Sequence, residues 1–192
     1  TWEYFYEIIS NVNHIISAAE TATGDENEIK CTTAQAYAAR AFSYFMLIQS
    51  FQQTLVGHED LPGVPIYTEP TTASSKGRKR SPVREVYARI DEDLETAVSL
   101  FEECGVKRKH ISNLDLYSTS LLQARVALVE NDWNKAVVAA KRAISTPYAS
   151  LLSKLDATVT KGTFDDSTTD WTTGKTPFNS VSSSSVMWGA EI

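Results

Sequence analysis

The residues able to do chemistry are few and scattered. His14, His58 and His110 lie on three separate segments, and none forms a His-Glu-x-x-His pair or a similar ligand spacing. Cys31 and Cys104 are too few for a disulfide framework or a zinc site, so no metal and no cofactor are expected. "TTGKTP" (172–177) imitates the end of a phosphate loop. That motif also needs a glycine five residues before Gly174, where this chain has Thr169. In "FDDSTTDWTTG" (164–174), Asp165, Asp166 and Asp170 do not follow the ligand positions of a calcium loop. No nucleophile, base and orienting group can be placed together from the sequence, and carboxylates such as Asp91 and Glu95 stand one turn apart on a polar helix face. The expectation is a protein that is not an enzyme.

What remains is charge and aromatic surface. The run "KGRKRS" (76–81) is the one basic cluster. It reads first as a solvated loop and second as a contact for an anion. It lacks interleaved aromatics and sits in a chain of net charge −6, which argues against nucleic acid. Four Trp, eight Tyr and seven Phe supply flat apolar plates, and the face of such a ring suits the C–H side of a sugar. Trp2 and Trp133 fall on helical apolar stripes and Trp188 on the apolar side of a strand pattern, so all three are expected in the core. Trp171, in the polar stretch "STTDWTTGK", has no evident core partner and is the candidate glycan-binding residue.

The rest of the chain must position these groups. Its 192 residues, 42% hydrophobic and 22% charged, suit one substantial core. Trp2, Phe5, Ile8, Ile9, Val12, Ile15, Ile16 and Ala19 predict a first helix over 2–20. "TTAQAYAARAFSYFMLIQSF" (32–51) predicts a second, opened by a Thr32/Gln35 capping box. Its Gln35, Arg40, Ser43 and Gln49 exclude a membrane span, and small Ala34, Ala36, Ala38, Ala39 and Ala41 allow close approach, so it is expected as an inner helix between neighbours. Pro62, Pro65 and Pro70 forbid a helix through the long connection 55–81. Ser81-Pro82 reads as a helix start, with Ser81 as N-cap. Val83, Val86, Tyr87, Ile90, Leu94, Ala97, Val98 and Phe101 then form a third stripe, with Asp91, Glu92, Asp93 and Glu95 mostly off it. Helices over 118–130 and 133–146 follow, separated by Asn131-Asp132. Cys31 and Cys104 each lie beside a helix end, so a bridge is conceivable, and two free thiols are the default.

"ARVALVENDWNKAVVAAKRAISTP" resembles half of a tetratricopeptide unit, with Ala124 and Ala127 at small positions and Ala136, Ala140 and Ala143 in the next helix. The expected fold is all-α: stacked helix pairs over 1–152 with a long Pro-rich loop. An irregular Ser/Thr-rich segment over 153–192 would end in a strand at Val186, Trp188, Ala190 and Ile192. Neither end reads as a natural terminus, and no signal peptide precedes Trp2.

Six ordered segments together resemble the SusD/RagB family. These are "WEYFYEIISNVNHII", "AQAYAARAFSYFMLIQSF", "DLPGVPIYTEP", "RSPVREVYARIDEDLETA", "LLQARVALVENDWNKAVVAAKRAI" and "SSVMWGAEI". The matching positions include Trp2, Tyr6, Asn13, Arg40, Tyr44, Tyr87, Asp93 and Leu94. Departures are Gln52 where the family has glycine after Phe51, and Ser185 where it has Glu. The resemblance implies a non-catalytic, outer-membrane lipoprotein on the extracellular face, held by an N-terminal lipid anchor absent from this chain. It would bind oligosaccharide and hand it to a TonB-dependent transporter of the SusC type. The alternative is a helical-repeat adaptor that binds protein and no sugar.

Overall fold

A computed structural model describes residues 1–72 and 74–147. The segment 153–192 assigned to a separate region, with Trp171, the Asp-rich stretch 164–174 and the expected strand at 186–192, lies wholly outside them. Five helices are described: α1 (Trp2–Ala19), α2 (Glu26–Phe51), α3 (Val83–Cys104), α4 (Leu116–Val129) and α5 (Trp133–Ile144). Each packs on its neighbour in sequence, and α2 lies between α1 and α3, giving stacked helix pairs of tetratricopeptide type. No described helix is long and apolar enough to cross a membrane.

α2 is the spine. It begins at Glu26, earlier than the Thr32 capping box suggested, because the Asp25 carboxylate accepts from the Asn27 and Glu28 amides. Glu26 and Glu28 in that first turn complement the helix dipole. Small Ala34, Ala38 and Ala41 let its neighbours approach, while Tyr44, Phe45, Leu47 and Ile48 are fully buried; Phe42 is only half-buried. The α3 stripe is buried along its whole length. Pro82 is itself the N-cap of α3, one residue later than the Ser81 cap expected. α4 starts at Leu116, two residues before the expected start, through a capping box in which Asp115 and Ser118 exchange hydrogen bonds.

Glu92 and Glu95 are exposed and Asp91 part-exposed, off the α3 stripe as expected. Asp93 is the exception: it is fully buried and receives bonds of 2.8 and 2.7 Å from Arg40 Nε and Nη2, with Arg89 Nη2 at 2.8 Å. Cys31 and Cys104 are not free thiols; they form a disulfide with Cα atoms 5.7 Å apart. Both follow from one antiparallel register. It opposes the start of α2 to the end of α3, then Arg40 to Asp93 further along.

α5 overturns another expectation. Its small residues Ala136, Ala139 and Ala143 are buried. Trp133, however, is 60% exposed, and Val137 and Ile144, which share its face, are also more than half exposed. The stripe is apolar as read, but no described element covers it.

Glu130, between α4 and α5, carries a pH dependence. Burial, and next the Asp91 carboxylate, push its pKa up to about 7 from 4.5, against the pull of Lys135. Tyr87 on α3 also faces it, and Asp132 adds a further negative charge. Because the folded protein holds this proton more tightly than the unfolded chain, the contribution to stability is full below pH 4.5. It falls as pH rises toward 7, by roughly 2–3 kcal/mol. Glu130→Gln should therefore gain on the wild type by about that amount between pH 4.5 and 8 in urea denaturation. Parallel pH profiles would show that Glu130 titrates normally.

Candidate functional site

The Pro-rich connection is an ordered strap laid across α1 and α2. Its two ends pair with each other: Gly63 N–H donates to Ser81 O at 2.6 Å and Ser81 N–H to Val64 O at 3.2 Å, beside a bridge between Pro62 and Pro82. A Cβ on Gly63 would stand 2.8 Å from Ser81 O, so only glycine permits this approach. Side chains from the helices then hold the strap by its backbone. Tyr6 Oη donates to Pro65 O at 2.8 Å. Asn13 Nδ2 donates to Tyr67 O at 3.0 Å and Glu69 O at 3.2 Å, and Arg40 Nη1 donates to Thr68 O at 3.3 Å. Tyr44 Oη accepts from Tyr67 N–H at 2.7 Å and donates to Tyr67 O at 2.9 Å. Burial pushes the Tyr44 phenol up to about 12 and the Tyr6 phenol higher still, so both remain neutral donors.

Between the strap and α1 a cleft of about 300 Å³ is left open. One wall is aromatic. The Trp2 ring lies 4.9 Å from Tyr6 and 4.8 Å edge-on from Phe51, yet stays 36% exposed. Tyr67 meets Tyr6 at 5.9 Å. Further along α1, two turns from Trp2, Ser10 stands 3.2 Å from Thr71 of the strap, and Thr72, Ser75 and Lys76 continue a hydroxyl-rich wall on the strap side. Asn13, at the base, is saturated, since its Oδ1 accepts from Arg40 at 2.7 Å while its amide holds the strap. The groups left to meet a ligand are the Trp2 face, the hydroxyls and the Lys76 ammonium.

The groups described in this lining offer an apolar plate, hydroxyls and an ammonium. Among the described residues its lining has no carboxylate, histidine or thiol. Among the described residues no group of three or more His, Cys, Asp or Glu could hold a metal. An apolar plate with hydroxyl donors and acceptors further along the same cleft offers the two kinds of surface a pyranose presents, its C–H face and its hydroxyl edge. Trp2 was expected in the core. The signal for its true place was the aromatic pair Trp2/Tyr6 one turn apart at the first residue of a helix, where an apolar stripe has least packing around it.

The fold and cleft thus define a helical-repeat scaffold with a binding cleft. Residues 1–114 match the model of a SusD-like family described as starch-binding and associating with the outer membrane, and the chain belongs to that family. It is 28% identical over 144 residues to the SusD-like protein P2 of Formosa agariphila, covering 75% of this chain and 26% of that protein. It is similar to the crystal structure of a SusD-like carbohydrate-binding protein from Bacteroides vulgatus, with a TM-score of 0.80 and 25% identity over all of this chain and 37% of that one. A SusD superfamily protein from Bacteroides thetaiotaomicron shares the fold, with a TM-score of 0.71 at 24% identity over 81% of this chain and 34% of its own. The chain therefore spans between a quarter and two-fifths of the length of these relatives.

Proposed function

We propose that this chain is part of a non-catalytic, cell-surface carbohydrate-binding protein that delivers oligosaccharide to a TonB-dependent transporter of the SusC type. The protein would be held at the outer membrane by an N-terminal lipid anchor outside this chain. The observation that carries the reading is the cleft, which part-exposed Trp2 lines together with the Ser10 and Thr71 hydroxyls, on a chain of SusD-like membership. Trp171 is proposed as a second stacking residue on its sequence setting alone. The segment 153–192 is proposed as the start of the region that completes the ligand surface.

A second reading has its own observation. The open apolar stripe of Trp133, Val137 and Ile144 on α5 suits a helical-repeat adaptor that contacts protein. Native affinity electrophoresis through gels containing neutral and acidic polysaccharides separates the two. The carbohydrate reading expects retardation in at least one gel, weakened roughly tenfold by Trp2→Ala, the equivalent of about 1.4 kcal/mol. No retardation in any gel would leave the adaptor reading.

A further inference from the structure

The cleft is bordered by positive charge that the rest of the fold does not neutralise. The chain carries 24 acidic residues against 18 basic ones, yet no carboxylate lines this site. Lys76 is part of the lining, and among the described residues its ammonium has no hydrogen bond or ion pair. The Arg78 guanidinium lies over the Tyr67 ring, 5.6 Å from its centroid, and donates to Ile66 O at 3.2 Å. Arg80 donates to the carbonyls of Gly63 and Phe51. Its charge reaches the Tyr6 phenol at the cleft wall, pulling against the burial that raises it. Both arginines thus hold the strap through neutral carbonyls and keep their full charge beside the aromatic wall. Of the other surface cations, Lys30, Arg84, Lys109 and Arg142 each pair with a carboxylate, while Lys107 and Lys141 have no ion pair among the described residues.

The geometry points to a pyranose bearing an anionic substituent, a uronate carboxylate or a sulfate ester, as the ligand of this cleft. Its ring would lie on Trp2 and its charge toward Lys76. The inference rests on the carbohydrate reading above and narrows it. A neutral sugar needs only the plate and the hydroxyls. The unpaired ammonium at the end of the hydroxyl wall can donate to a neutral hydroxyl, but it gains most from an anion, where both partners of the bond are charged. Arg78 and Arg80 would add longer-range attraction, which salt screens over about 10 Å at 0.1 M.

The test uses the 192-residue chain with four polysaccharides. Polygalacturonate carries carboxylates, carrageenan carries sulfate esters, and laminarin and starch are neutral. Binding is measured at low and at raised salt. The expected result is preferential binding of one acidic polymer, weakened by salt, and which acidic polymer binds identifies the substituent. Lys76→Gln should weaken that binding about two- to fivefold, the range for one exposed charge contact, and flatten its salt dependence. Lys79→Gln, in the same basic run but outside the cleft lining, should have no effect. Equal losses from the two variants would place the attraction in the run and overturn the cleft assignment. Neutral polymers bound as well as acidic ones, with Lys76→Gln silent, would overturn the inference and leave the carbohydrate reading standing. No binding to any of the four would overturn both.

Discussion

Asp93→Ala is expected to destabilise the protein by about 3–5 kcal/mol, the usual consequence of removing one partner from a buried ion pair. Asp93 is wholly buried and Arg40 is only 3% exposed. The Arg40 guanidinium gives Nε and Nη2 to the two Asp93 oxygens and Nη1 to Asn13 Oδ1. Without Asp93 that guanidinium stays buried with its bidentate carboxylate partner gone. The damage would also reach the cleft, because Arg40 and Asn13 hold the strap at Thr68, Tyr67 and Glu69. Urea denaturation measures the loss. A change below 1 kcal/mol would mean that water or another carboxylate reaches Arg40. The double variant Arg40→Met/Asp93→Leu should recover most of the stability, since a buried pair exchanged for apolar groups of similar size is often near neutral. It should not recover the strap, whose carbonyl at Thr68 would have lost its donor.

The second large effect is expected from the disulfide. Cys31 and Cys104 are separated by 73 residues, and closing a loop of that length stabilises a fold by about 4 kcal/mol in the chain-entropy account. The bridge sits in a small apolar cluster with Ala34, Ala38, Ala97, Phe101 and Leu114, apart from the main core. Its loss would therefore free the start of α2 and the end of α3 first. Cys31→Ser/Cys104→Ser, or the wild type under dithiothreitol, should show a lower urea midpoint by an amount matching that figure. An unchanged midpoint under reduction would show that the packed cluster alone fixes these helix ends. A structural bridge of this kind persists outside the reducing cytosol, in keeping with the proposed place at the cell surface.

The helices themselves were legible. The α3 stripe from Val83 to Phe101 is continuous, and Asn131-Asp132 marks the break before α5 as read. What a periodic stripe does not carry is the identity of the partner. Trp133, Val137 and Ile144 are as regular as the α3 stripe, yet nothing described covers them. Asp93 lies three residues after Ile90 and four before Ala97, inside the apolar arc. Only the register of α2 against α3 reveals Arg40 opposite, and the same register joins the cysteines. The start of α2 was missed because Glu26, Asn27 and Glu28 are polar, although Asp25 is a ready N-cap. The cleft was the least legible part. It exists because carbonyls of the strap are held by Tyr6, Asn13 and Arg40, and backbone carbonyls leave no mark on a sequence. Read along the chain, Tyr6 and Asn13 are helix residues of the family pattern. Folded, they are the posts from which a sugar-sized gap is suspended.

The most direct test of the central claim is a crystal structure of the 192-residue chain grown with an oligosaccharide from whichever polysaccharide retards it. The account predicts a sugar ring over Trp2, its hydroxyls or acidic group reaching Ser10, Thr71 and Lys76. A sugar bound elsewhere, with the space between Trp2 and Thr71 empty, would contradict it.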